Sequence, residues 1–367
     1  MVYNWQQKDW RIFQYDEKAF SSRALEFMEM SGQSLGYLKG LSDNDQEESI
    51  VTLLVKEAIK TSAIEGEIIS RIDVISSIRK NLGYNTPTHN IKDKRSEGIA
   101  ILLVKSRESF NTDLTEDMLF DWHKLLMLGN YTINIGQWRT HLEPMQVISG
   151  TIGKEKIHFE APPSAQVSGE MKAFIQWFNA TQPEGNTPIE NPIIRSAIAH
   201  LYFETIHPFE DGNGRIGRVI AEKALAQGLK RPILMSLSTA IEAEKKAYYD
   251  ALQKAQRANE INDWIHYWSN MILEAQKDFT QSINFLLKKT AFFDTNKTLL
   301  NEHQLKVISR MLDEGEVGFV SGMNARKYQS ISHTSKSTAT RHLQDLVEKG
   351  ILIAIGGGRS TNYQVNL

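Results

Sequence analysis

The sequence predicts a mainly α-helical protein with one β-hairpin in its middle and a separate small unit at its C-terminus. Three observations carry this. Only nine prolines occur in 367 residues. Apolar residues recur three and four apart over long stretches, the period of amphipathic helices. One segment breaks that period: GQWRTHLEPMQVISGTIGKEKIHFEAPPS (136–164) combines β-branched residues, paired glycines and a Pro-Pro stop, the pattern of a hairpin. The length allows two or three domains with their own cores, and the composition shifts divide the chain at 1–90, 91–296 and 297–367.

The elements follow in order. An aromatic opening (Trp5, Trp10, Phe13, Tyr15) precedes helical patterns at 17–39 and 43–65, and RIDVISSIRKNLG ends at Gly83, a natural helix stop. YNTPTHN (84–90) is a loop, and two helices are expected between 93 and 128 before the hairpin. Helical periodicity returns at 165–178, 192–206, 216–228 and 236–258, and a long helix is expected from 261 to 289. In the last 70 residues QLKVISRML, NARKYQSI and TSKSTATRHLQDLVEKGIL give three short helices, and ILIAIGGGRSTNYQVNL gives two strands around a glycine-rich turn. Three helices and a β-ribbon are the order of a winged helix-turn-helix. In its third helix Ala339, Leu343, Leu346 and Val347 share one face, leaving Ser335, Lys336, Thr338 and Arg341 to point elsewhere.

Composition excludes some chemistry. There is no cysteine, so disulfides and thiol nucleophiles are out. No window approaches the ~18 apolar residues of a membrane span, and the opening residues lack the apolar run of a signal peptide. The expectation is a cytoplasmic protein with no membrane partner. A formal charge of −2 averages over unlike segments and says little about partners.

The chemistry concentrates in HPFEDGNGRIGR (207–218). Pro208 sets the chain direction just after His207, which places the imidazole at a helix end. DGNG tolerates positive φ, and successive amides in such a loop can curl around an anion. A helix beginning near Gly214 adds its free N–H groups and dipole to that site. Arg215 and Arg218 lie three apart on one face, and two guanidinium forks beside an amide nest suit a polyphosphate. Asp211 suits the Mg²⁺ that accompanies a triphosphate. His207, with an ordinary pKa near neutrality, suits a general base. The inventory indicates nucleotide-dependent transfer to an alcohol without saying which phosphorus is attacked.

These residues resemble the Fic family, whose motif HPFx[DE]GNGRxxR is matched at every defined position. The likeness extends over roughly 93–270: HLYFETI upstream, GQWR, VISG and HFEAPP in the hairpin, and SxxIxxxKKAYYDAL downstream. WQQKDW and TSAIEGE resemble the extra N-terminal domain of one bacterial branch. The resemblance implies a Fic-type helical core with a β-hairpin flap, and transfer of AMP from ATP to a side-chain hydroxyl of a target protein or of the chain itself. It makes His207 the base and Asp211 the Mg²⁺ ligand. Gly212, Asn213 and Gly214 would bind the α- and β-phosphates, Arg215 the β-phosphate and Arg218 the γ-phosphate. Val147, Ile148, Ser149 and Gly150 would line up a target strand by edge pairing. Some relatives transfer phosphate, UMP or phosphocholine, and the motif does not exclude these.

TSAIEGE (61–67) resembles the family's inhibitory motif [ST]xxxE[GN], in which the glutamate reaches the second arginine of the active-site motif. That makes Glu65 an off switch, with Gly66 removing a side chain from a close approach. Outside the motif, His200 lies two turns before His207 and is read as structural support. Tyr248 and Tyr249 are candidates to stack near adenine, against the alternative that aromatic residues on a helix are core.

From 320 to 367 six basic residues (Arg326, Lys327, Lys336, Arg341, Lys349, Arg359) face two acids (Asp345, Glu348), a local +4. That suffices to approach DNA, although high-affinity complexes neutralise more phosphates. The unit is equally suited to recruiting a protein or pairing with a second copy of the chain. Two functions of different class follow: a self-inhibited protein adenylyltransferase, and a nucleotide-responsive DNA-binding regulator.

Overall fold

The computed structural model describes residues 2–84, 90–130, 132–149, 156–314, 319, 322–357 and 361–367. It contains α1 (Ser21–Lys39), α2 (Asp43–Ile64), α3 (Arg71–Asn81), α4 (Lys94–Glu108) and α5 (Glu116–Leu126). A hairpin of β1 (Gln146–Ser149) and β2 (Lys156–Glu160) follows, then α6 (Ser164–Ala180), α7 (Pro192–Ile206) and α8 (Asn213–Leu229). Beyond these come α9 (Leu237–Ala243), α10 (Lys245–Ala255), α11 (Asn262–Asn296), α12 (Glu302–Asp313), α13 (Ala325–Ser332), α14 (Lys336–Glu348), β3 (Leu352–Ile355) and β4 (Asn362–Val365). The chain is mainly α. Two compact units result, one of Met1–Leu35 with Asp43–Phe279 and one of Gly36–Ser42 with Thr280–Leu367.

In the first unit α7 is the central element. PIIRSAIAHLYFETI is apolar on nearly every side, and every residue of α7 is buried, as expected of a helix packed all round. Asn191 caps it, its side-chain oxygen accepting from the N–H groups of Ile193 and Ile194, with Pro192 in the first turn. The buried guanidinium of Arg195 on α7 is satisfied internally. Arg195 donates to the carbonyls of Phe178 (2.8 Å) and Ala224 (3.2 Å) and to Gln227 Oε1 (2.8 Å). Around α7 and α8, one core joins Val55 and Ala58 of α2, Val74 of α3, Leu103 of α4, Trp122 of α5 and Phe174 of α6. The segment at 61–67 therefore leaves a helix that is itself anchored in this core.

One expected helix is two. The periodicity over 236–258 continues without Gly or Pro, but the chain leaves helical geometry at Glu244 (φ −125°, ψ 41°), separating α9 from α10. A tertiary contact accompanies the turn: α10 carries Tyr248 Oη to 2.7 Å from His200 Nε2 in the interior. Nothing local marks this break. The long helix α11 extends to Asn296, seven residues past its expected end.

The hairpin pairs antiparallel, Val147 opposite Phe159 and Ile148 opposite Ile157, with an irregularity between Val147 and Ile148. In the second unit α12, α13 and α14 precede the antiparallel pair β3 and β4. Ala339, Leu343 and Leu346 are buried in that unit's core, and Val347 packs against it. Among the described residues no helix is long and apolar enough to cross a membrane.

Candidate active site

The loop from His207 to Asn213 joins α7 to α8 and is held by contacts of three kinds. At its start His207 is the C-terminal cap of α7, in the left-handed region (φ 51°), its N–H bonded to Phe203 O at 2.9 Å. At its end Gly212 (φ 80°) caps α8. Between them Asn213 closes the loop on itself: its Oδ1 accepts from Phe209 N–H (2.9 Å) and its Nδ2 donates to Phe209 O (2.8 Å). The Asn213 side chain is thus spent on the shape of the loop, and its backbone amide lies in the first turn of α8, where an anion is favoured.

Two residues from outside the motif fix the loop's position. Arg139, 1% exposed, donates to His207 O (2.8 Å), Ser164 Oγ (2.9 Å), Pro162 O (2.5 Å) and Ile206 O (3.3 Å). Its own N–H bonds Pro208 O at 2.9 Å. Burial lowers the guanidinium to about 10, still charged at neutral pH. His123 of α5 is fully buried and stacks on Phe209 at 4.1 Å. Gly136 N–H donates to its Nδ1 (2.9 Å), so the neutral ring carries its proton on Nε2, which faces Asp211 O at 3.2 Å. Burial drives His123 down to about 4 and keeps it neutral. The sequence held only weak signals of these roles: a histidine within LFDWHKLL, and an arginine inside the hairpin segment.

His207 is neutral as well. Burial, reinforced by the positive charge of Arg139, lowers its pKa to about 4, so the imidazole can accept a proton at physiological pH. Its Nδ1 lies 3.7 Å from Glu204 Oε2, one turn back on α7. Glu204 is pushed up to about 8 by burial and by the negative charge of Glu65. Asp211, about half exposed, accepts Gly212 N–H on Oδ1 at 2.6 Å, and its Oδ2 is 3.7 Å from Arg215. Among the described residues there is no cluster of three or more metal-ligating side chains. Mg²⁺ needs fewer, being held by one or two carboxylates with water and phosphate oxygens, and the outward carboxylate of Asp211 fits that requirement.

Both arginines face the end of α2. Arg218, 1% exposed, donates to Glu65 Oε1 (2.8 Å), Thr61 Oγ1 (2.8 Å) and Thr61 O (3.0 Å). Burial opposes charge on Glu65, but Arg218, helped by Arg215 and Lys245, more than offsets it and holds the carboxyl below its usual range. A Cβ on Gly214 would collide with Glu65 Oε1, so this carboxylate lies against the first turn of α8, where an anion belongs. Arg215, 4% exposed, bonds Glu67 Oε2 at 2.6 Å. Glu67 was not singled out in the sequence, because the motif ends at the residue before it. Gly66 corrects one expectation: a Cβ there would meet nothing within 4 Å, and its φ of 81° is what requires glycine.

The remaining candidates divide. His200 is fully buried and stacks on Trp268 at 4.5 Å, and Tyr248, 1% exposed, bonds it; both are core. Tyr249 is 37% exposed, close enough to Glu65 for that carboxylate to raise its pKa together with burial. In the hairpin Val147 is half-buried and Ile148 exposed. Ser149 ends β1, and Gly150 lies outside the described residues.

Residues 113–225 match the Fic/DOC family and residues 3–84 match a domain of unknown function, DUF4172. The chain is 23% identical over 210 residues to Protein adenylyltransferase fic-1 of Caenorhabditis elegans, covering 56% of this chain and 37% of that protein. It is 28% identical over 122 residues to Probable protein adenylyltransferase aq_aa38 of Aquifex aeolicus (strain VF5), covering 31% and 36%. The matches thus span little more than a third of each relative. A crystal structure of a Fic family protein from Desulfovibrio desulfuricans G20 superposes with a TM-score of 0.50 at 17% identity, covering 94% of this chain and 96% of that one. A Fic domain containing signaling protein from Bacteroides thetaiotaomicron VPI-5482 gives 0.52 at 17% identity, covering 71% and 97%. From its motif and these relatives, residues 113–225 of the chain are a Fic domain.

Proposed function

We propose that the protein is an adenylyltransferase that moves AMP from ATP to a hydroxyl of a target protein, or of itself, and that Glu65 holds it off. The observation that carries this reading is one loop with a neutral His207 at its start and two buried arginines on the helix that begins at its end. The names of its relatives support the reaction class. The target hydroxyl oxygen attacks the α-phosphorus, its proton passes to His207, and the bond from that phosphorus to the bridging oxygen breaks to release pyrophosphate. Most of the acceleration comes from alignment and charge neutralisation. Asp211 would hold Mg²⁺, which supplies positive charge to the phosphate oxygens. Arg215 and Arg218 take the β- and γ-phosphates.

Inhibition follows from occupancy. Two opposite charges whose centres lie about 4 Å apart, as in a carboxylate bonded to a guanidinium, gain on the order of 4 kcal/mol at an effective dielectric near 20 before desolvation is subtracted. Each ~1.4 kcal/mol retained costs a competing phosphate a factor of ten. The test is incubation with Mg²⁺ and ATP labelled on the α-phosphate, followed by intact-mass measurement. Glu65→Gly should gain the mass of AMP and His207→Ala should not. A gain of phosphate or another group would reassign the chemistry, and equal labelling of wild type and Glu65→Gly would remove the switch.

DNA binding is a second proposal, supported by Ser335, Lys336 and Arg341 standing exposed on and beside α14. A gel-shift assay with and without ATP checks it, and an ATP-dependent shift is expected of a regulator.

A further inference from the structure

The end of α2 presents two carboxylates, and the two arginines on α8 receive one each. The chain at this point forms a complete C-terminal cap: Gly66 N–H bonds Ala63 O at 3.0 Å, and Glu67 N–H bonds Ser62 O at 3.0 Å. These are the two bonds of a Schellman motif, with glycine in the left-handed position. Glu65 is the last residue before that glycine and Glu67 the first after it. The reversal at Gly66 turns both side chains toward α8, where Arg215 and Arg218 lie three apart on one face. The cap is braced by backbone bonds, so neither carboxylate needs the other to be held in place.

We propose that Glu67 is a nucleotide-discriminating residue: its carboxylate occupies on Arg215 the place of a β-phosphate, as Glu65 occupies on Arg218 the place of a γ-phosphate. This rests on the reading of the loop as a triphosphate site. The contact is close and sheltered, 2.6 Å with Arg215 only 4% exposed and Glu67 29% exposed. A second acidic neighbour of Arg215, Asp211, stands off at 3.7 Å. The chemical consequence separates the two glutamates. A nucleoside diphosphate has no γ-phosphate, so it does not compete with Glu65 for Arg218; it does compete with Glu67 for Arg215. Glu65 alone would leave diphosphate binding nearly untouched, and the pair together weakens both nucleotides.

Calorimetric titration of the full chain with Mg²⁺ and either ADP or ATP tests this directly, because it reads binding and not transfer. Glu67→Gln is expected to tighten ADP by about tenfold. Glu65→Ala should change ADP by less than about threefold while tightening ATP. The double variant should bind ATP tightest of all. Glu67→Ala is the second variant, with a thermal melt to establish that it folds. ADP affinity unchanged in both Glu67 variants, with ATP affinity still rising in Glu65→Ala, would overturn the role of Glu67 and leave the nucleotide site standing. Failure of every variant to bind ATP would overturn both.

Discussion

The loop at 207–218 and the segment at 61–67 face each other through two arginines, yet they are held by different means. The loop is fixed from several sides: Asn213 clamps Phe209, Arg139 grips the carbonyl of His207, and His123 faces the carbonyl of Asp211. The segment hangs from the end of one helix by a glycine cap and meets α8 through Glu65, Glu67 and Thr61. A loop whose shape depends on buried partners outside the α2 segment keeps that shape when the opposing carboxylates leave. Preorganisation of the loop and the proposed inhibition by Glu65 are therefore separable, and substitutions on either side should produce different signatures.

The largest effect is expected at the two ends of that comparison. His207→Ala should lower the rate of AMP transfer by at least about 10³-fold, within the usual range for a lost general base. Glu65→Gly should raise it by about 10²-fold, corresponding to under 3 kcal/mol of net pairing; both are measured as initial labelling rates. Next, Arg139→Met should cost about 3 kcal/mol of stability, since it strips the donor from three buried carbonyls and a hydroxyl. Its denaturant midpoint should fall, and Glu65→Gly should not restore activity to it. If it did, the loop would not need its outside supports.

Smaller effects sharpen the comparison. Gly66→Ala places a Cβ in the left-handed region at a cost of about 1 kcal/mol, and because the surrounding space is open, the strain falls on the cap alone. Basal labelling should rise about fivefold with little change in melting temperature. The smallest effect concerns Glu204. Its carboxyl is raised to about 8 in the folded chain from an ordinary 4.5, so between those values the folded state keeps a proton that the unfolded state has released. Stability then falls as pH rises across that window, and Glu204→Gln should flatten the slope seen in melts at pH 5 and 8.

Legibility followed the range of the interactions. Residues whose role depends on neighbours within the motif could be read directly: His207 at a helix end, the turn of Gly212, and two arginines one turn apart. The pairing of Glu65 with Arg218 was legible only because its motif is distinctive, since nothing in TSAIEGE by itself points at residues 150 positions away. Glu67, Arg139, His123 and Glu204 were missed for the same physical reason. Each acts on a partner brought near by folding, and each looks in sequence like an ordinary helix or loop residue. The break at Glu244 is similar, a turn with no local breaker that accompanies a buried bond between Tyr248 and His200.

By itself, then, the order of residues determined the helical class, the hairpin, and a glycine-rich loop with a histidine at its start and two arginines after it, because periodicity, turn chemistry and charge spacing act over a few residues. Only the tertiary structure decided that Asn213 serves the loop's shape, that Tyr248 is core, and that two carboxylates cover the two arginines. Those outcomes depend on which groups share a buried space, and a buried polar group takes whichever partner the packing supplies.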